Sequence, residues 1–155
     1  MQILSSDLKI RASHGASEYP VLVEIWRSAV DATHDFLAAA DRERIEAHLA
    51  ADYFPAVQLL VAEHNGTALG FAGSAAGNLE MLFVHDDARG TGIGSALLFA
   101  ALSDHGVVAV DVNEQNPGAH GFYLHHGFVE VGRSEQDAEG NPYPLLHLQR
   151  ATESP

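Results

Sequence analysis

The sequence contains no cysteine among its 155 residues. This absence excludes a disulfide framework, a thiolate zinc site and a cysteine nucleophile. Basic residues are also few, because 8 lysines and arginines stand against 21 aspartates and glutamates, for a net charge of −13. A nucleic-acid-binding surface needs many cations to contact phosphates, so we expect no nucleic acid partner. The acidic balance is compatible with a cationic substrate such as an amine.

The sequence also lacks an apolar run long enough to span a membrane, and residues 1–7 lack the basic and apolar regions of a signal peptide. We therefore expect a cytoplasmic protein with no membrane partner. Ten histidines are present, but no two are four residues apart and no His-Glu-x-x-His motif occurs, so we expect no metal site. The length predicts a single domain over residues 1–155.

Apolar periodicity predicts the element order β-α-α-β-β-β-α-β-α-β-β. Asn65-Gly66 is typical of a two-residue hairpin turn between two of these strands. The pattern predicts an α/β fold: a mixed, mostly antiparallel central sheet with one parallel β-α-β crossover and helices on both faces. The predicted strands cover residues 8–12, 57–63, 68–75, 79–84, 107–112, 128–133 and 145–149, and the predicted helices cover 19–33, 40–51, the segment after the glycines to about 103, and 118–126.

Three glycines alternate with other residues in Arg89-Gly90-Thr91-Gly92-Ile93-Gly94, between a predicted strand and a predicted helix. Exposed backbone N–H groups at the start of a helix, together with the helix dipole, bind anions such as phosphate. The dinucleotide fingerprint Gly-x-Gly-x-x-Gly does not fit, because its sixth position is Ser95 or Leu97. A tight turn without a ligand is the other alternative. The segment predicts a site for a phosphorylated ligand.

Two motifs on the predicted elements resemble the GNAT superfamily of acyl-coenzyme A (CoA)-dependent N-acetyltransferases, and the resemblance covers nearly the whole chain. The first is the pyrophosphate loop Arg/Gln-x-x-Gly-x-Gly/Ala, which matches Arg89, Gly92 and Gly94. The second is Asn-x-x-Ala-x-x-x-Tyr-x-x-x-Gly-Phe, which matches Asn116, Ala119, Tyr123, Gly127 and Phe128. The chain departs from many relatives at Asp86-Asp87, where they carry a proline shortly before the loop.

The resemblance implies acetyl-CoA as co-substrate, no metal, and direct attack by an amine in a ternary complex. It implies that strand amides pair with the pantetheine arm and that loop amides hold the pyrophosphate, supported by an arginine. Asn116 either contacts CoA or caps the helix that follows it. The implied CoA-binding residues are Leu82, Phe83, Val84, Arg89, Gly90, Thr91, Gly92, Ile93, Gly94, Ser95 and Asn116.

The resemblance places Tyr123 beside the thioester sulfur as general acid; its phenol has an unperturbed pKa of about 10, above that of a thiol near 8.5. Its ring could instead be part of the core. Glu80 and Asp111 each interrupt an apolar strand and are the carboxylate candidates for the general base. Burial would raise the pKa of such a carboxylate. Bound water is the alternative base.

The acceptor pocket is expected to include Trp26, His34, Phe36 and Tyr143. Trp26 lies on the apolar face of a predicted helix, which also suits core packing, and His34 is a further candidate for the base. The acceptor itself is an unidentified small molecule or peptide amine. A non-catalytic acyl-CoA-binding regulatory module is the alternative function, and a homodimer is possible in either case.

Overall fold

The structure is a computed structural model that describes residues 7–151. These residues form two compact units, and the chain passes from the first to the second between Val107 and Val108. The elements follow the predicted order, with small differences at their ends. No helix in the described part of the chain is long and apolar enough to cross a membrane.

The first unit contains a sheet of four antiparallel strands in the order β1-β2-β3-β4. Asn65 and Gly66 connect β2 to β3 with φ angles of 51° and 82°, the positive values that a two-residue hairpin turn requires. Phe83 on β4 is registered with Phe71 on β3. The strands are β1 (Leu8–Ala12), β2 (Gln58–His64), β3 (Thr67–Ala75) and β4 (Asn78–Val84).

Three helices accompany this sheet: α1 (Tyr19–Thr33), α2 (Ala39–His48) and α3 (Ile93–Asp104). The sequence predicts that α2 ends at residue 51, but the helix ends at His48. The chain then continues as a π-helical turn over Leu49–Tyr53 and a 3-10 turn over Phe54–Ala56. The backbone N–H of Phe54 donates to the carbonyl of Leu49, five residues earlier, and both side chains are buried. The wider turn therefore directs both residues into the core.

The core of the first unit lies between α1 and the sheet. Buried positions on α1 recur at three- and four-residue spacing, which is the pattern of one helix face. Each such side chain contributes about 1.5–3 kcal/mol when it is fully buried. The buried cluster comprises Leu22, Ile25, Trp26 and Val30 of α1, with Leu49, Phe54, Val61 and Phe71.

An ion-pair network joins β1 to the start of α1. Both Arg11 terminal nitrogens donate to the Glu18 carboxylate, at 3.1 and 2.6 Å, and the backbone N–H of His14 donates to the same carboxylate at 3.0 Å. Arg11 Nε lies 3.1 Å from Glu63 on β2. The Arg11 hydrogen bonds hold the pKa of Glu18 at about 2, against an ordinary value of 4.5. The folded state therefore favours ionised Glu18.

Glu18→Gln is expected to lower the free energy of unfolding at pH 7 by about 2 kcal/mol, because Arg11 loses a charged partner. A depressed carboxyl pKa contributes stability that is complete above pH 4.5 and is lost as pH falls toward about 2. The variant should therefore lose part of the acid dependence of stability in that window. Urea unfolding between pH 2 and 7 measures both effects, with the exposed Glu24→Gln as control. Equal behaviour of the two variants would contradict the assignment.

The second unit contains three antiparallel strands in the order β5-β7-β6, together with one helix. Its core consists of alternate residues of the strands and the aromatic ring of Tyr123. Its first strand begins at Ala109, two residues later than predicted, because the buried Val107 donates its N–H to Ala101 at the end of α3. The elements are β5 (Ala109–Asn113), α4 (Pro117–His125), β6 (Phe128–Ser134) and β7 (Leu145–Arg150).

Candidate functional site

The glycine loop of the first unit precedes α3 directly. Gly90 and Gly92 have φ angles of 75° and 88°, in the left-handed region that residues with a Cβ rarely adopt. Gly92 is the N-cap of α3 and, having no side chain, makes no side-chain capping hydrogen bond. A Cβ at either glycine would meet no described atom within 4 Å. The helix terminus is thus open on the side where an anion would approach, which fits a phosphate ligand.

The entry to the loop is a short 3-10 turn over Asp86–Ala88. The His85 ring accepts the Asp87 N–H at 3.2 Å, so a hydrogen bond organises the segment at Asp86-Asp87. Thr91 Oγ1 donates to the Ala88 carbonyl and closes the loop. Arg89 lies 3.4 Å from Asp86 and its side chain is 57% exposed. A guanidinium is therefore accessible from solvent beside the open helix terminus.

An aromatic cluster joins the segment after α1 to strand β4. The His34 ring lies 5.2 Å from Phe36 and 6.3 Å from Phe83, measured between centroids. Phe83 in turn lies 5.7 Å from the buried Phe71. The structure thus brings two residues predicted for the acceptor, His34 and Phe36, to one predicted for the pantetheine arm, Phe83.

The protonation of the half-buried His34 follows from its neighbour Thr33. Thr33 Oγ1 donates its hydrogen to the Ala29 carbonyl at 2.7 Å, so it can only accept from His34 Nδ1, which lies 2.7 Å away. This arrangement assigns the Nδ1–H tautomer and leaves a lone pair on Nε2. Desolvation lowers the pKa of His34, and the Asp35 charge opposes this effect. The His34 imidazole is therefore neutral at neutral pH. Thr33, which contacts it, was not among the residues that the sequence predicted for the site.

The two carboxylate candidates lie in different units. Glu80 is exposed on β4 of the first unit. Asp111 is exposed on β5 of the second unit, where its Oδ1 lies 2.6 Å from Nδ1 of His147. Neither Glu80 nor Asp111 is buried, although burial was expected of a carboxylate base. Nothing in the sequence pattern linked Asp111 to His147, because the two are 36 residues apart.

Two aromatic residues predicted for the acceptor are buried. Trp26 is 3% exposed and belongs to the core cluster of the first unit, with the Arg42 guanidinium 5.7 Å from its ring centroid. Little of its surface is available to a ligand, so core packing accounts for this residue. Tyr143 is buried in the second unit, at 8% exposure. Their role in acceptor binding stays a prediction.

The second signature lies around α4 in the second unit. Asn116 is the N-cap of this helix, and its Oδ1 accepts the N–H of Ala119 at 3.2 Å. Tyr123 is 6% exposed, with its ring 5.7 Å from that of Phe128. Burial raises the pKa of the Tyr123 phenol above its ordinary value of 10. The phenol therefore keeps its proton at neutral pH and can act as a donor, not as a base.

No group of three or more histidine, aspartate or glutamate side chains that could hold a metal ion occurs within residues 7–151.

Gly94→Leu is expected to weaken CoA binding at least tenfold, about 1.4 kcal/mol, because the side chain enters the space that phosphate needs at the first turn of α3. Gly94 lies within the helix and does not share the positive φ of Gly90 and Gly92, so this variant avoids backbone strain. Calorimetric titration of CoA measures the effect. Ser103→Leu, in the last turn of the same helix, is the control. Unchanged affinity in a folded Gly94→Leu protein would exclude these amides as the pyrophosphate cradle.

Comparison with known proteins identifies the family. Residues 27–143 match the acetyltransferase (GNAT) domain. The chain is 44% identical over 128 residues to the peptidyl-lysine N-acetyltransferase YjaB of Salmonella typhimurium LT2, covering 82% of this chain and 88% of that protein. The solution structure of apo-form YjaB from Escherichia coli aligns with a TM-score of 0.84 and 41% identity, covering 94% and 99% of the two chains.

A more distant structure shows the same fold. The PaiA N-acetyltransferase of Thermoplasma acidophilum, solved in complex with coenzyme A, aligns with a TM-score of 0.70 and 18% identity over 92% of this chain and 98% of that one. These similarities confirm the predicted fold class, the GNAT-like mixed α/β fold. The chain therefore belongs to the GNAT family of acetyltransferases and is an acyl-CoA-dependent N-acetyltransferase.

Proposed function

We propose that this enzyme transfers the acetyl group of acetyl-CoA to the ε-amino group of a lysine in a peptide or protein. The acceptor class rests on the relative that is 44% identical over most of both chains and is named a peptidyl-lysine N-acetyltransferase. A lysine side chain is cationic before it reacts, and the net charge of −13 favours such an acceptor. The observation that carries the acetyl-CoA assignment is the open helix terminus formed by Gly90 and Gly92 before α3.

The acetyl-CoA site follows from this loop and the strand before it. We place the pyrophosphate on the loop amides from Gly90 to Ser95, with Arg89 as the accessible cation. The pantetheine amides pair with the backbone of Leu82, Phe83 and Val84 on β4, the strand that precedes the glycine loop. Asn116 has its side-chain oxygen engaged in a helix cap, so any contact with CoA would use its amide nitrogen.

The chemistry is direct attack in a ternary complex. The lysine nitrogen must lose its ammonium proton before it attacks the thioester carbonyl carbon, and we assign the proton acceptor to Nε2 of His34. Glu80 and Asp111 remain the carboxylate candidates. As the carbon–sulfur bond breaks, the Tyr123 phenol donates to the departing thiolate, a role carried over from the family resemblance. Because burial raises its pKa, the phenol keeps its proton until the thiolate departs.

We further propose that residues 1–155 act as one catalytic domain, because the matched family domain, residues 27–143, includes parts of both compact units. His34 and Phe36 would contact the acceptor lysine beside Phe83. The absence of a membrane-spanning pattern in the sequence supports a cytoplasmic location.

The test is a thiol-release assay with acetyl-CoA and a peptide that contains one lysine and a blocked N-terminus. We expect turnover with this peptide, an acetyl group located on the lysine by mass spectrometry, and no turnover when arginine replaces the lysine. CoA at a hundred times its dissociation constant should also stabilise the fold by about 2.7 kcal/mol, whereas NAD should not. Stabilisation by CoA without turnover on any amine would favour the non-catalytic acyl-CoA-binding module.

A further inference from the structure

Three polar side chains form a continuous hydrogen-bonded chain across the three strands of the second unit. Asp111 Oδ1 on β5 lies 2.6 Å from Nδ1 of His147 on β7. His147 Nε2 lies 2.6 Å from Oγ of Ser134, the last residue of β6. The hydroxyl, imidazole and carboxylate therefore stand in the order and at the spacing of a nucleophile, its base and the group that orients the base.

The sheet register explains why these residues meet. Asp111 and His147 are directly opposite each other on antiparallel neighbours, so their side chains share one face. On the other side of β7 the register shifts between Glu130 and Gly132, which places Gly132 opposite His147. A Cβ on Gly132 would lie 3.5 Å from the His147 ring, so the imidazole lies close over β6 and reaches Ser134.

The hydrogen-bond partners assign the proton positions. An ionised aspartate only accepts, so His147 Nδ1 carries a hydrogen that it donates to Asp111. In the neutral imidazole Nε2 then has a lone pair, and the Ser134 hydroxyl donates to it. This is the tautomer in which a histidine can remove the proton of a serine hydroxyl. The side chains of His147 and Asp111 are 34% and 44% exposed, so a small reactant can reach them from solvent.

We propose that Ser134, His147 and Asp111 form a nucleophilic triad that accepts acyl groups from small acyl thioesters and activated acyl esters. Ser134 Oγ bonds to the acyl carbon while its proton moves to His147 Nε2. The carbon–sulfur or carbon–oxygen bond of the donor then breaks, and His147 gives its proton to the leaving thiolate or alkoxide, or to solvent when the leaving group departs as an anion. Water then attacks the acyl carbon while the same nitrogen takes its proton. The bond from that carbon to Ser134 Oγ breaks, His147 passes the proton to Oγ, and a carboxylic acid and the free serine hydroxyl result.

This activity goes beyond acetyl transfer to lysine and does not depend on it. All three residues lie within the second unit, and the reaction needs neither an amine acceptor nor bound CoA. A donor without the CoA moiety therefore tests the triad separately from the proposed function.

The experiment exposes the full-length protein to p-nitrophenyl acetate and follows p-nitrophenolate release, intact mass and the position of the acetyl group by peptide mapping. We expect an acetyl group on Ser134 that forms at least tenfold faster than any on Ser103, an exposed serine of α3. Ser134→Ala should abolish this acetylation, and His147→Gln should slow it by about 10²-fold or more. Asp111→Asn should slow it at least tenfold. Ser103→Ala should leave it unchanged.

Two results would overturn the proposal. In the first, Ser134 of the wild-type protein is acetylated no faster than Ser103. This result comes from the wild-type protein alone, so it does not depend on whether any variant folds. The other is acetylation of Ser134 that persists at the wild-type rate in a folded His147→Gln protein, since the hydroxyl would then react without the imidazole. Circular dichroism melting of each variant establishes that it is folded.

Discussion

Replacing Tyr123 with phenylalanine is expected to lower kcat by about 10²- to 10⁴-fold and to leave the affinity for CoA nearly unchanged. The substitution removes one hydroxyl and retains the ring that packs 5.7 Å from Phe128, so the fold should survive. The phenol is protonated in the free enzyme because burial raises its pKa. Its contribution therefore arises as the thiolate departs, which affects the transition state more than the bound ground state.

The measurement combines steady-state kinetics on the lysine peptide with calorimetric titration of CoA into both proteins. Tyr19→Phe, a tyrosine that packs against the core of the first unit, is the matched control and should retain activity. A parallel loss of affinity and turnover would mean that the hydroxyl anchors the ligand. Full activity in a folded Tyr123→Phe protein would remove the phenol from the mechanism and leave bound water as the proton source.

Replacing His34 with glutamine is expected to lower kcat/KM by about 10²- to 10⁴-fold at neutral pH, because Nε2 would no longer be available to take the amine proton. Wild-type activity requires the neutral imidazole. Because desolvation lowers the pKa of His34 below its ordinary 6.5, activity should persist to below pH 6.5 and then fall as the ring becomes protonated. The His34→Gln protein should lack this acid limb.

Thr33 provides a second test of the proposal that His34 is the base. Thr33→Val removes the oxygen that accepts from His34 Nδ1, so the imidazole can adopt either tautomer and activity should fall less than in His34→Gln. His48→Gln, an exposed histidine at the end of α2, is the control. An unchanged pH profile in the folded His34→Gln protein would return the assignment of the base to Glu80, Asp111 or water.

The family could be predicted from the sequence because its evidence is local. The loop from Arg89 to Gly94 has positive φ at Gly90 and Gly92, and this requirement for glycine is visible in the residue types. The helix over Tyr19–Thr33 was predicted with its observed ends, since its apolar residues recur at helical spacing. The hairpin at Asn65-Gly66 likewise depends on two adjacent residues.

The sequence by itself therefore determined the family, the element order and the glycine loop, all of which depend on residues close together in the chain. Only the tertiary structure decided which polar groups meet. The tautomer of His34 depends on how Thr33 Oγ1 bonds the helix backbone, and the contact of Asp111 with His147 joins residues 36 apart through strand register. The tertiary structure also separated two residues predicted for the acceptor pocket: Trp26 is buried in the core, whereas His34 lies beside Phe83. Composition and spacing carry no signal for such pairings, because hydrogen bonds between distant residues form only when the sheet brings them together.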